Sequence, residues 1–209
     1  MTGSTQNSPV GDVPEEQPDL CGVAFKEWAA VCLALEAGEQ ILILRKGGLH
    51  EGAAGFRVAH RRFWLYPTRF HEEAAHLSPN AAKWLAPAQA LAPPAGELWL
   101  RCLVEVTDVV ALPHGTGLER LAAWHGWSAE TVRSRFEYRE PGLFALVVRG
   151  WVRPTAWIVP ETTAMAGCRS WVDLPTPFPT TDLRPALPHE EFEIRRQALC
   201  AELRQAQAG

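Results

Sequence analysis

No two cysteines of this chain are spaced as C-x-x-C: the five, at 21, 32, 102, 168 and 200, are odd in number and widely scattered. That spacing excludes a zinc ribbon and a thioredoxin-type redox site, and a reducing cytoplasm is the compartment such thiols fit best. Cys32 and Cys102 fall in apolar runs and are expected to be small core hydrophobes. No stretch reaches the roughly 18 apolar residues that a membrane span needs. The first 20 residues have neither the basic start nor the apolar centre of a signal peptide; rich in Pro, Ser, Gly and acid, they predict a disordered tail. The GK[ST] ending of a nucleotide P-loop is missing, so ATP is not an expected ligand. HEEAAH at 71–76 places its histidines five apart rather than four, too far round a helix to share one metal. No internal repeat is present.

What is present is enough to bury a core: 47% of 209 residues are hydrophobic. The chain divides into the tail (1–20), one α+β domain (21–175) with a candidate internal boundary at the Pro/Ala stretch 86–96, and a Pro-rich strap with a terminal helix (176–209). The formal net charge of -4 argues against indiscriminate coating of nucleic acid. Residues 45–71 nevertheless hold six cations, Arg45, Lys46, Arg57, Arg61, Arg62 and Arg69, against Glu51 alone. A basic segment in an acidic chain is the asymmetry of an anion site. It links two apolar runs, at 41–44 and 63–66, and functional side chains gather on connections that rigid elements position.

Along the chain, Phe25, Trp28, Ala29, Cys32 and Leu35 recur at helical spacing and predict one amphipathic helix from Ala24, stopped by Gly38. Residues 40–45 and 62–66 predict strands, the second ended by Pro67. Thr68 is expected to cap a short helix through His76, and Ser78-Pro79 to open another that ends near Leu85. Residues 97–112 carry the longest strand signal. It puts Leu98, Leu100, Cys102, Val104 and Val106 on one face and Trp99, Arg101, Leu103 and Glu105 on the other, and its length predicts a strand that bends round a barrel or feeds two sheets. Thr116 with Glu119 has capping-box spacing, and with a helix opened by Ser128 predicts a helical hairpin. Residues 143–152 and 169–174 read as strands, 175–188 as an extended strap, and 189–207 as a helix that packs weakly.

The residue chemistry supports a binding reading and an enzyme reading. For binding of RNA, DNA or a nucleotide, Arg45 and Lys46 hold phosphate, His60 and Arg62 line the cleft, His71 adds a contact, and Trp64 or Tyr66 stacks a base. For a metal-dependent nuclease, Glu51 acts with Lys46 or His60, and Mg2+ is the cofactor; the binding reading needs none. Such a site needs further carboxylates, and Glu27, Glu105 and Asp108 are those available. Glu105 and Asp108 lie three apart, on opposite faces of a regular strand, and pairing with arginines is their structural role. The structural role of Arg45 is likewise to pair with an acid such as Glu51. His50 joins His60 and His71 as a third imidazole near the connection, and glycines 47, 48, 52 and 55 can present backbone N–H groups to an anion. A third reading is a non-catalytic interaction module whose tryptophans form a protein interface.

Gly38-x-Gln40-x4-Arg45, at a helix-to-strand handover, resembles the GxKxxxxR signature of the ASCH domains of the PUA-like superfamily, with Gln40 in the lysine position. The order of a long strand, a helical pair, LFALVVRGWV and a Pro-rich strand is similar to the later part of such a domain. The resemblance implies a partly open β-barrel with flanking helices whose cleft receives RNA, DNA or a modified base. Some such domains are hydrolases or ribonucleases, and Gln40 departs from the lysine on which their amide-hydrolysing chemistry would depend. AFKEW, ILILRKGG, FRVAHRRFWLYPT and FH, within 24–71, resemble blocks that recur in this order in an uncharacterised bacterial family, a domain of unknown function. That resemblance implies an association with restriction-modification systems and assigns no reaction.

Overall fold

Phe63, Trp64, Leu65 and Tyr66 follow one another in β3 (Arg62–Thr68), and all four are buried. Phe63 and Leu65 join one hydrophobic cluster, Trp64 and Tyr66 a second. The apolar run therefore records a strand covered on both faces rather than a half-exposed one. The computed structural model describes residues 19–46, 60–69, 72–167 and 169–208. Glu51, His71, His50, Arg57, glycines 47, 48, 52 and 55, and the predicted tail to residue 18 lie outside the described residues.

β3 runs parallel to β1 (Leu20–Trp28), with Ala24 opposite Trp64 and Trp28 opposite Thr68. Pairing through Pro67 and Thr68 means that Pro67 does not end the ladder. β1 also corrects the expected helix from Ala24: the chain is extended to Trp28, and α1 occupies only Ala29–Glu36. Ala24 and Phe25 are both fully buried, so the strand has no alternation to betray it, and its apolar residues merge with those of α1 into one helix-like series. Gly38 does end that helix, with φ of +69°.

The remaining strands are β2 (Leu42–Arg45), β4 (Glu97–Leu112), β5 (Leu143–Pro160), β6 (Trp171–Pro179) and the short β7 (Arg184–Pro185). They form one sheet in the order β2-β5-β4-β3-β1-β6, with β7 on β5. β2 and β6 are its margins, so the mixed α+β fold is built on an open sheet, not a closed barrel. The Pro-rich strap is in part strand, since β6 extends to Pro179.

β4 serves both clusters, as its length implies, but not with the expected faces. Between Leu100 and Cys102 the ladder with β5 slips, so that Leu100 faces Trp157 while Cys102 faces Val152. Across that irregularity the alternation inverts. Leu98, Leu100 and Leu103 enter the second cluster, and Cys102, Val104 and Val106 the first.

Four further helices flank the sheet. Ser78 caps α2 (Pro79–Ala82), as expected, and α3 (Leu85–Ala90) forms inside the stretch expected to be a linker. A 3-10 turn, Ala74–His76, replaces the helix expected after Thr68, whose hydroxyl donates instead to the Glu27 carbonyl at 3.2 Å. The predicted capping box is a 3-10 turn, Leu118–Leu121, preceded by Gly117 at φ +82° with no side-chain cap. α4 (Ala129–Glu137) is opened by Ser128, which accepts from Thr131 N–H at 3.2 Å. α5 (His189–Ala208) is no loose tail: Phe192, Leu199, Leu203 and Ala206 are buried in the first cluster. Among the described residues no helix is long and apolar enough to cross a membrane.

Candidate functional site

Arg45 is the last residue of β2, and its side chain crosses to the other margin of the sheet. Nη2 donates to Ser170 Oγ at 2.5 Å and Nη1 to the Lys26 carbonyl at 3.4 Å, while the guanidinium stands 4.4 Å from the Phe25 ring centroid. Beneath it lies Glu27, 4% exposed, with Oε2 at 3.6 Å from Nη1. Burial pushes the Glu27 carboxyl above its ordinary value, and the neighbouring Arg45 opposes that push. Arg45 thus pairs with Glu27, an acid that sequence spacing did not connect to it.

The clasp forms part of a hollow of about 670 Å3. Lys26 of β1, Arg45 of β2, Arg69 after β3, Arg135 of α4 and Arg169 before β6 all line it. Among the described residues that line it, Glu161 is the one carboxylate. Arg69, Arg135 and Arg169 are exposed and form the rim, whereas Arg45 and Lys26 are partly buried. Lys26 Nζ donates to the carbonyls of Met165 and Gly167 at 2.6 and 2.8 Å and sits 5.2 Å from the Tyr66 ring centroid. Tyr66 donates its hydroxyl to Glu161, and burial, with that carboxylate, raises its pKa. The ring is 4% exposed and covered by Lys26, so Tyr66 lines the hollow without an open face for stacking.

The other residues singled out from the sequence fall elsewhere. Trp64 is fully buried and donates Nε1–H to the Cys21 carbonyl at 3.2 Å, which leaves no face for a base. Lys46 donates to the carbonyls of Phe136, Glu140 and Gly142, tying β2 to the end of α4, and its pKa is lowered by burial. His60 meets the edge of Trp171, with centroids 5.3 Å apart. Arg62, at the opposite end of β3 from Tyr66, donates to Thr180 Oγ1 at 3.1 Å. Of the predicted set, then, Arg45 and Tyr66 share the hollow, and Lys46, His60, Arg62 and Trp64 do not line it. Lys26, Arg135 and Arg169 were missed. They are isolated cations on separate elements, and no spacing in the sequence links them.

The carboxylates considered for a metal are also engaged separately. Asp108 accepts two bonds from Arg196 of α5, at 2.7 and 2.8 Å. Glu105 is exposed on β4, with Arg62 and Arg149 opposite it on the neighbouring strands. Glu72, not one of those candidates, accepts from Ala30 N–H through Oε1 at 2.6 Å, supplying the N-terminus of α1 with the cap that Trp28 cannot. Among the described residues no three His, Cys, Asp or Glu side chains are grouped so as to hold a metal ion.

The solved ASCH structures of Zymomonas mobilis are similar in outline. A serine-to-alanine variant matches with a TM-score of 0.41 at 15% identity, covering 87% of this chain and 99% of that one. A second crystal structure of the protein gives 0.38 at 16% identity, covering 84% and 93%. Among curated proteins none matches the chain in sequence. A family profile does match, over residues 24–198, from β1 into α5, and the chain accordingly belongs to the family described as a domain of unknown function, DUF1802.

Proposed function

We propose that the chain binds a nucleic acid or nucleotide, held by its phosphates in the hollow between the ends of β1, β2 and β3. The observation that carries this reading is the convergence of Lys26, Arg45, Arg69, Arg135 and Arg169 from five separate segments onto one cavity, in a chain whose formal net charge is -4. Cations scattered for solubility have no reason to share a concavity; a concave cluster of one sign focuses the field and attracts a polyanion. Arginine suits the task, since its planar fork matches a phosphate. RNA, DNA and a free nucleotide all offer that group.

The test is a fluorescence anisotropy titration with a labelled 12-nucleotide RNA and the corresponding single-stranded DNA, at low and at higher salt. The informative variant removes Arg69, Arg135 and Arg169 together. Arg45 and Lys46 are unsuitable, because both hold the fold. Each phosphate contact to a single strand contributes about 0.7 to the slope of log affinity against log salt, so the triple alanine variant should bind more weakly with a slope smaller by about 2. Binding that is absent, or whose salt slope is the same in the variant, overturns the reading.

A further inference from the structure

On the other side of α4 lies a second cavity of the same size, about 670 Å3, whose lining is of the opposite character. Its walls are Leu118 and Ala122 from the 3-10 turn and the residue after it, Trp127, and Val132 and Phe136 of α4. Leu118, Trp127 and Val132 are each under 9% exposed, so these walls are set by the core rather than by mobile surface groups. The mouth carries Glu119, Arg133 and Glu137, acids outnumbering bases, where the first hollow is ringed with arginines.

His125 also lines this cavity and is 6% exposed. Its Nδ1 accepts from Trp127 N–H at 3.1 Å, which places the remaining proton of the neutral ring on Nε2. Among the described residues nothing accepts from that Nε2–H, nor is the atom among those sealed from solvent without a partner. Nε2–H is therefore a donor on a nearly buried ring that solvent can still reach, and a ligand acceptor would take the place of that water. Burial also pushes the His125 pKa down to about 4, so the ring remains a neutral donor at physiological pH.

We propose that this cavity is a binding site for a small, uncharged, largely apolar molecule that presents one hydrogen-bond acceptor to His125 Nε2–H. The size is that of a pocket for a small organic ligand. Apolar walls supply most of the attraction, the single donor orients the molecule, and the acidic mouth disfavours anions, including the polyanion proposed for the first hollow.

Saturation-transfer NMR with three probes of similar size separates these requirements: 2-acetylnaphthalene, 2-ethylnaphthalene and 2-naphthoate. The ketone should bind, the ethyl compound about fivefold more weakly for want of an acceptor, and the carboxylate more weakly than the ketone. His125→Leu, which has no donor, should bring the ketone down to the affinity of the ethyl compound. Ala122→Phe, a change at an exposed position on the cavity wall, should abolish binding of both without touching the core, and so decides the matter even if His125→Leu does not fold. A ketone that fails to bind, binds no better than the ethyl compound, or binds equally to Ala122→Phe overturns the proposal.

Discussion

Arg45 Nη2 donates to Ser170 Oγ at 2.5 Å, so the end of β2 at one margin of the sheet is tied to the residue that precedes β6 at the other. The open sheet is drawn together there by a side chain, not by a ladder of backbone bonds. The same guanidinium is the counter-charge of buried Glu27. Removing one partner of a buried pair strands the other, so Arg45→Ala should cost about 3 to 5 kcal/mol in urea unfolding. Burial already raises the Glu27 carboxyl, and without Arg45 it rises further. A carboxyl raised on folding favours the folded state at acid pH, an advantage lost as pH climbs through the folded value. The penalty of Arg45→Ala should therefore be smaller near about pH 5 than near about pH 8, and Glu27→Gln in that background should remove the difference. An identical penalty at both pH values would show that Glu27 is not the stranded charge.

Gly38 and Gly96 separate two reasons for keeping a glycine. Both have positive φ, +69° and +84°. A Cβ at Gly38 would lie 2.7 Å from the Ala186 carbonyl oxygen and 2.7 Å from Leu187 Cγ, where the strap before α5 crosses; at Gly96 nothing lies within 4 Å. Gly96→Ala should cost only the left-handed conformation, about 1 to 2 kcal/mol. Gly38→Ala adds a clash with backbone and should cost clearly more in the same denaturant titration. Equal costs would mean that the strap yields freely.

Those two glycines also illustrate what the sequence discloses. Gly38 was legible as a helix stop, because the local pattern changes there, but the strap that makes it irreplaceable arrives from residue 186. The same limit explains the site. Arg45 and Tyr66 could be singled out, since they lie in a conspicuous basic and aromatic segment; Lys26, Arg135 and Arg169 reach the hollow through β1, α4 and β6, whose meeting is set by non-local pairing. β3 could be read as a strand from its four consecutive apolar residues. β1 could not, because two-sided burial erased its alternation and its residues continue smoothly into α1. The inverted faces of β4 depend on a slip against β5, which only the partner strand reveals.

His125 predicts a pH dependence opposite in sign to that of Glu27. Burial lowers its pKa from the ordinary 6.5 to about 4, so the unfolded chain binds a proton that the folded chain refuses. Its contribution to stability is complete above about pH 6.5 and is lost progressively as pH falls towards about 4. His125→Gln, which keeps an acceptor near Trp127 N–H, removes that dependence. The stability of the wild-type protein minus that of the variant, from urea unfolding, should shrink between about pH 7.5 and about pH 5. A difference that stays constant would mean that His125 titrates alike in both states.

α5 supplies a contrast within one helix. Phe192 is 1% exposed, packed in the first cluster with the Arg149 guanidinium 5.5 Å from its ring centroid, whereas Ile194 is 69% exposed. Truncating a buried Phe removes its burial and leaves a cavity, so Phe192→Ala should cost about 3 to 5 kcal/mol in global unfolding. Ile194→Ala should change stability by no more than about 0.5 kcal/mol. If α5 were a detachable tail, neither change would move the main transition, because the domain would unfold alike with the helix docked or released. A large cost confined to Phe192 instead makes the 20 residues of α5 part of the core that positions β2 and β5. It ties them to the hollow as well, since Arg195 of the same helix donates to the carbonyls of Gly38 and Glu39 just ahead of β2.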